Sequence, residues 1–375
     1  MNSNLLKLKM IKSDFKPFEG LRVLELSSVL AGPLAGSFFA EGGAEVVKVE
    51  HPQWGDVTRS WRAVGEAVDA KISSYYASAN TYKNVCRVDL RSEEGLKWLE
   101  EELSKADVLL QNFKEGDLAK FNLVPEDLAG RFPELVHIRL VGFADAPTRL
   151  AYDVVVQAET GFMHMNGSPD GPPTRMPVAL MDVLASDHIK TAALSGLYSR
   201  EKGVTGWYSE VSLERSGLAA LVNRATNFLM NGDEQNRIGS EHPNIAPYGD
   251  IVTLKAGRQI VLAVGSDKQF RGLCEVLRLE DLAADERFLE NASRVRNRAE
   301  LMSELRGVFA EIEEEEVLMD DFLTKGVPAG LVRPLSEVFA EGTTGRDHLI
   351  DEGEVDGRRV IKPSVVAYFS TVFGK

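Results

Sequence analysis

Apolar residues in the first third of the chain fall into short, nearly continuous runs separated by glycine, proline and polar breaks. Leu21-Arg-Val-Leu-Glu-Leu26, Ala44-Glu-Val-Val-Lys-Val-Glu50, Cys86-Arg-Val-Asp-Leu90, Asp107-Val-Leu-Leu-Gln111 and Leu135-Val-His-Ile-Arg-Leu140 all have strand length and strand composition. Between them the spacing turns helical. Ser27 to Pro33 reads as a loop, and Leu34 to Glu41 as a short helix that Gly42-Gly43 ends. Ser92 is placed to cap a second helix, with Glu93 and Glu94 in its first turn and Leu96, Leu99 and Leu103 as its apolar stripe. Strands alternating with helices predict an α/β fold whose mostly parallel sheet is covered on both faces, with ligands at the carboxyl ends of the strands.

The second half changes texture. Apolar positions from Asp182 to Arg200 (Ile189, Ala193, Gly196, Leu197) predict one helix, Trp207 to Leu213 a strand, and Ser216 to Met230 another helix. After the polar break Asn231-Gly-Asp-Glu-Gln235 come two strand-like runs, Tyr248 to Leu254 and Gln259 to Val264, joined at Ala256-Gly-Arg258. Helices follow around Lys268–Leu277 and Ala299–Ile312. The expected organisation is an extension over 1–17, a large domain over 18–210, a linker helix over 211–234, a small domain over 235–331, and a return to the large domain over 332–375.

Composition narrows the class. With 375 residues, 44% hydrophobic and 27% charged, the chain reads as globular. No apolar run approaches the ~20 residues that span a bilayer. Lys7, Lys9, Lys12 and Lys16 interrupt the leucines of the first segment, which therefore lacks the core of a signal peptide, and a cytoplasmic protein is expected. Cys86 and Cys274 read as reduced, buried thiols. A net charge of −14 without a basic stripe argues against nucleic acid. An anionic ligand would need locally concentrated positive charge.

Asp182 is the most informative single residue. A Gly/Pro-rich turn, Gly171-Pro-Pro-Thr174, leads through Val178-Ala-Leu-Met181 to a carboxylate at a helix start, where a chain ordinarily buries an aliphatic side chain. Such an acid either caps the helix or does chemistry. Burial would raise its pKa and the helix N-terminus would lower it. The loop after the first strand, Ser27-Ser-Val-Leu-Ala-Gly-Pro-Leu-Ala-Gly36, is not GxGxxG, and Pro33 removes a donor that a pyrophosphate would use, so Glu50 does not mark a dinucleotide site. GxSxG, GxxxxGK[ST] and HExxH are absent. The six histidines show no metal spacing, and Asp182 and His188 lie about 240° apart around a helix, so no metal is expected.

Taken together, Leu21-Arg-Val-Leu-Glu-Leu-Ser-Ser-Val-Leu-Ala-Gly-Pro33, Gly43-Ala-Glu-Val-Val-Lys-Val-Glu-His-Pro52, Gly55-Asp-Val-Thr-Arg59, Asp107-Val-Leu-Leu-Gln-Asn-Phe113, Tyr152-Asp-Val-Val-Val-Gln-Ala-Glu-Thr-Gly161 and Gly167-Ser-Pro-Asp-Gly-Pro-Pro-Thr174 resemble the family III CoA-transferases in order. That group includes formyl-CoA transferase and is related to the α-methylacyl-CoA racemases. The resemblance implies a Rossmann-like large domain, a smaller α+β domain and an interlocked, ring-like homodimer. It implies acyl-CoA and a carboxylic acid as substrates, with no cofactor beyond CoA itself.

It also implies roles for individual residues. Asp182 matches the nucleophile. Leu30, Ala31, His51, Val88, Asp89, Leu90, Arg91, Asn112, Phe113, Lys114, Lys120, Leu150, Ala151, Tyr152 and Asp153 match positions that contact CoA, with Arg91, Lys114 and Lys120 supplying positive charge. Oxyanion donors are expected near Val29-Leu30-Ala31. Glu159 and His242 are weaker substrate-pocket candidates. The racemases carry His-Asp where this chain has Tyr152-Asp153, so the histidine base is missing and transfer is favoured. His51 and Lys120 stand where formyl-CoA transferase has arginines, and Arg237 to His242 replace a glycine run. The first departure implies a weaker or differently arranged grip on the CoA phosphates; the second points away from formate and oxalate, toward a roomier acyl pocket.

Overall fold

A computed structural model of the protein describes residues 16–340 and 349–368; most of the expected 1–17 extension lies outside them. Six parallel strands form the main sheet in the order β3-β2-β1-β4-β5-β6. They are β1 (Arg22–Leu26), β2 (Glu45–Glu50), β3 (Asn84–Arg87), β4 (Val108–Gln111), β5 (Val136–Val141) and β6 (Tyr208–Ser212). Central strands β4 and β5 are buried along their whole length, which is why their sequences read as runs rather than alternations. β3 begins and ends earlier than Cys86–Leu90. The Asp89 carboxylate accepts the Arg91 N–H and its carbonyl the Ser92 N–H, so the chain has already turned toward the next helix.

Leu24, Leu26, Val47 and Leu109 pack with Leu99 and Leu103 of the Glu93–Leu103 helix and Leu128 of the Pro125–Arg131 helix. Each such side chain contributes about 1.5–3 kcal/mol by burial. As expected, the Ser92 hydroxyl caps its helix by accepting the Gly95 N–H at 2.9 Å. The Ala31–Glu41 and Leu180–Arg200 helices pack against each other and against the sheet. The first of these starts at Ala31 rather than Leu34, because Pro33 falls in the first turn, where its missing N–H has no partner to lose. It approaches β1 closely: a Cβ on Gly36 would sit 1.9 Å from the Glu25 carboxylate. The single helix expected over 216–230 is two, Leu213–Ala220 and Val222–Asn231, broken where Val222 takes φ 39°.

By its internal contacts the chain divides into two units. One holds the main sheet and, within 349–368, an antiparallel hairpin of β10 (Ile350–Val355) and β11 (Arg358–Pro363), whose Val355 and Val360 pack with Ile72 and Tyr76. The other comprises 162–175 and 230–340. Its antiparallel sheet of β7 (Tyr248–Thr253), β8 (Gln259–Ala263) and β9 (Ala329–Leu331) carries Ile260 and Leu262 into a core with Phe270, Leu273, Phe309 and Phe322. Among the described residues no helix is long and apolar enough to cross a membrane.

Candidate active site

The strand order reverses between β1 and β4, the usual place for a ligand crevice in an open α/β sheet. A cleft of about 170 Å³ opens there, at the carboxyl ends of β1, β4, β5 and β6. The loop after β1 contributes Ser28, Val29 and Ala31, and the loop after β4 contributes Asn112, Phe113 and Lys114. The segment Pro147–Asp153 closes one side, and Asp182 lies within.

Asp182 is the third residue of the Leu180–Arg200 helix, and its side chain is 8% exposed. The N-cap is Ala179, so Asp182 is not the cap. Burial, reinforced by the nearby Asp153 charge, pushes its pKa up to about 7. Asp153 is held firmly. Its Oδ1 accepts the Met181 N–H at 2.7 Å and its Oδ2 accepts from the Gln157 amide at 2.5 Å. Gln157 in turn accepts the Met176 N–H at 2.8 Å, so both ends of the turn leading to Asp182 are tied to the Asp153–Glu159 helix.

The cleft brings Asp182 together with Ala31, Asn112, Phe113, Lys114, Leu150, Ala151, Tyr152 and Asp153. Leu30, the residue before the first helix, precedes Ala31 on its wall. His51 and Val88–Arg91 form a separate group where β2 and β3 end. The His51 ring meets Trp54 edge-on at 4.1 Å and its Nε2 lies 3.9 Å from Asp89. The Val88 N–H donates to the Glu50 carbonyl, and the Leu90 side chain is buried in the core, so Leu90 has only backbone to offer a ligand. Exposed Lys120 pairs with Asp117 at 2.7 Å. Glu159 does not line the cleft but accepts from Arg149 at 2.7 Å. In the other unit, His242 packs against Tyr248, and its Nδ1 accepts the Asn244 N–H at 3.1 Å. Among the described residues, no three His, Cys, Asp or Glu side chains gather closely enough to hold a metal ion.

Three residues near the site, Arg149, Tyr75 and Asp56, are not marked as candidates by the sequence, and the backbone conformation of Val29 is not foreseen there. Among the described residues, Arg149 and Lys114 are the two cations lining the cleft, and Arg149 directly precedes the segment 150–153 expected to contact CoA. Tyr75, whose ring meets Trp61 edge-on, is pushed up to about 12 by burial and then by the charges of Asp182, Asp153 and Asp56. Val29 lines the cleft in the left-handed region, φ 73°. For a β-branched residue this costs about 1–3 kcal/mol, sustained only by the surroundings. Asp56 is 3% exposed and accepts the Val29 N–H at 3.3 Å. The available signal for Asp56 was its place in Gly55-Asp-Val-Thr-Arg59; Val29 stood in the loop expected to hold oxyanion donors, though nothing there signalled its left-handed backbone, and Tyr75 carried no signal.

The family model for CoA-transferase family III matches residues 18–371. A succinate–glutarate CoA-transferase from Agrobacterium fabrum is 35% identical over 87% of this chain and 82% of its own. The human succinyl-CoA:glutarate CoA-transferase is 33% identical over 91% of this chain and 77% of its own. Among solved structures, a CAIB/BAIF family protein from Brucella suis superposes with a TM-score of 0.78 at 32% identity, covering 95% of this chain and 93% of that one. An acid in a cleft at the strand ends, a six-stranded parallel sheet and a match across nearly the whole chain agree: this protein belongs to CoA-transferase family III.

Proposed function

We propose that the enzyme moves CoA from an acyl-CoA thioester to a free carboxylic acid through Asp182. The observation that carries this reading is one buried carboxylate facing a cleft at the carboxyl ends of the sheet, with two cations on its wall. The Asp182 carboxylate attacks the thioester carbonyl, CoA leaves as thiolate, and a mixed anhydride forms. The thiolate attacks the aspartyl carbonyl, the donor's acid leaves as carboxylate, and an aspartyl-CoA thioester remains. An acceptor carboxylate displaces the thiolate to give a second anhydride. The thiolate then attacks the acceptor's carbonyl, releasing its CoA ester and regenerating Asp182. No cofactor beyond CoA is required, because each step exchanges acyl bonds of similar energy.

Relatives named for succinate and glutarate favour short dicarboxylates as the acids, and Lys114 and Arg149 are suited to a second carboxylate or a CoA phosphate. We place the reaction in the cytoplasm and in a homodimer. The test is direct. Asp182→Ala should abolish transfer between succinyl-CoA and a panel of carboxylates while CoA still binds. Mass spectrometry should find a hydroxylamine-trapped adduct on Asp182 after incubation of the wild type with acyl-CoA. An unmodified Asp182 across several acyl-CoAs would sink the mechanism. Deuterium uptake at the α-carbon in D₂O, without any acceptor acid, would replace it with racemisation.

A further inference from the structure

The loop between β1 and the Ala31–Glu41 helix is clamped at three successive residues. Lys48 donates to the Ser27 carbonyl at 2.9 Å. Asn112 accepts the Ser28 N–H and donates to the Ser28 carbonyl, both at 3.2 Å. Asp56 Oδ2 accepts the Val29 N–H at 3.3 Å. The third clamp is built from inside the protein. Asp56 Oδ1 accepts from Thr58 twice, from the N–H at 3.0 Å and the hydroxyl at 2.7 Å. Asp56 Oδ2 lies 3.2 Å from the Lys48 ammonium, which is fully buried and also bonds Glu25 at 2.9 Å. Glu25 is shared with Lys83, whose ammonium bonds the Pro33 carbonyl in the following helix. A buried chain of charge thus runs from that helix, under the strand, back to left-handed Val29 on the cleft wall. Neither Asp56 nor Lys48 lines the cleft.

We propose that Asp56, anchored by Lys48 and Thr58, is a positioning residue for the reaction: it holds Val29 left-handed and so aims the Leu30-Ala31 backbone at the centre where Asp182 reacts. This rests on Asp182 as the nucleophile. A β-branched residue gains nothing locally from a positive φ, so releasing Asp56 lets Val29 return to the extended region and carries the next peptide away from the cleft. Glycine holds the same φ without help. That difference separates positioning from mere scaffolding.

The experiment is a double-mutant cycle on the full chain, with succinyl-CoA and an accepted carboxylate. Asp56→Asn keeps the side chain's shape but cannot serve Thr58 and Val29 with two carboxylate oxygens. It should lower kcat at least about tenfold while the KM for the CoA ester stays within about threefold and the thermal melt stays cooperative. Adding Val29→Gly should bring kcat to within about threefold of Val29→Gly alone, so that Asp56→Asn loses its effect in the glycine background. A structural role predicts the reverse, since glycine removes a side chain and loosens the loop further. Equal kcat loss in both backgrounds, or none in either, overturns the proposal. If Asp56→Asn does not fold, Thr58→Val removes one hydrogen bond from the same carboxylate and no charge. It should show a smaller kcat loss with the same rescue, and its absence is equally decisive. The two readings fail separately. An Asp182 adduct in the wild type alongside an unchanged kcat in Asp56→Asn removes the positioning role alone. An active Asp182→Ala removes the nucleophile, whatever Asp56 does.

Discussion

At Asp182, function and stability pull against each other. The folded protein holds the Asp182 proton up to about pH 7, whereas an unfolded chain releases it near pH 4. The folded state therefore binds more protons between those values, and stability falls as pH rises through the interval, with the full cost present above 7. Over that interval the cost is at most about 4 kcal/mol. Asp182→Asn removes it, so the variant should melt higher than the wild type at pH 8, with the difference vanishing near pH 4. The same variant should lose at least about a thousandfold in turnover, because an amide cannot form the anhydride. A variant no more stable at pH 8 would mean that Asp182 is better solvated than its burial indicates. For the active enzyme, kcat/KM should fall tenfold per pH unit below about 7, as the nucleophile protonates. Asp153→Asn removes the lesser of the two causes and should shift that limb to lower pH without restoring an ordinary carboxylate. An unmoved limb would show that burial alone sets it.

Between strand and helix, the buried charges that hold the loop after β1 also bear on the stability of these elements. Burial opposes the Lys48 charge, yet Glu25, Asp56 and Glu50 outweigh it and hold its pKa above the ordinary value. Lys83 has Glu25 but also Lys48 beside it, and burial pushes it down to about 8. Lys48→Met leaves Asp56 without its cation and Glu25 with one lysine instead of two. It should cost about 3–5 kcal/mol in urea unfolding, far more than the loss of an exposed pair such as Lys97–Glu93. A cost below about 1 kcal/mol would show that the cluster is dispensable for folding. These lysines also mark the limit of what the chain declares about itself. Strands β1, β2, β4 and β5 are legible because buried parallel strands need unbroken apolar runs, and Ser92 because capping is local. Lys48 looks like an ordinary solvated residue within Glu45-Val-Val-Lys-Val-Glu50. Its burial depends on Glu25 and Asp56, which come from other elements. The cleft divides in the same way. Asp182 is conspicuous beside Val178-Ala-Leu-Met181, whereas Arg149 reaches the cleft and Val29 takes its left-handed backbone through tertiary contacts that no local pattern encodes.

For the molecule as a whole, the question is what covers the Val222–Asn231 helix. None of its residues is buried, and Val222, Phe228 and Leu229 are 67%, 48% and 78% exposed. A ten-residue helix is marginal in water without a packed face, so its amphipathic sequence implies a partner surface. Nearby in sequence, Leu218 of the preceding helix is likewise exposed, as are Leu194 and Tyr198 of the helix that begins beside Asp182. A second copy of the chain is the simplest occupant, because a symmetric dimer would bury the same apolar surface twice. Light scattering coupled to size exclusion should then give about 83 kDa, twice the 41.3 kDa chain. Phe228→Glu combined with Leu229→Glu places two charges at that surface and should yield monomer or aggregate with a lower melting temperature. A wild-type mass of one chain at micromolar concentration would refute the dimer. Because Leu194 and Tyr198 share a helix with Asp182, the double variant's kcat is a further readout. If it falls with the dimer while the isolated chain still melts cooperatively, assembly supports the position of the nucleophile as well as the stability of the fold.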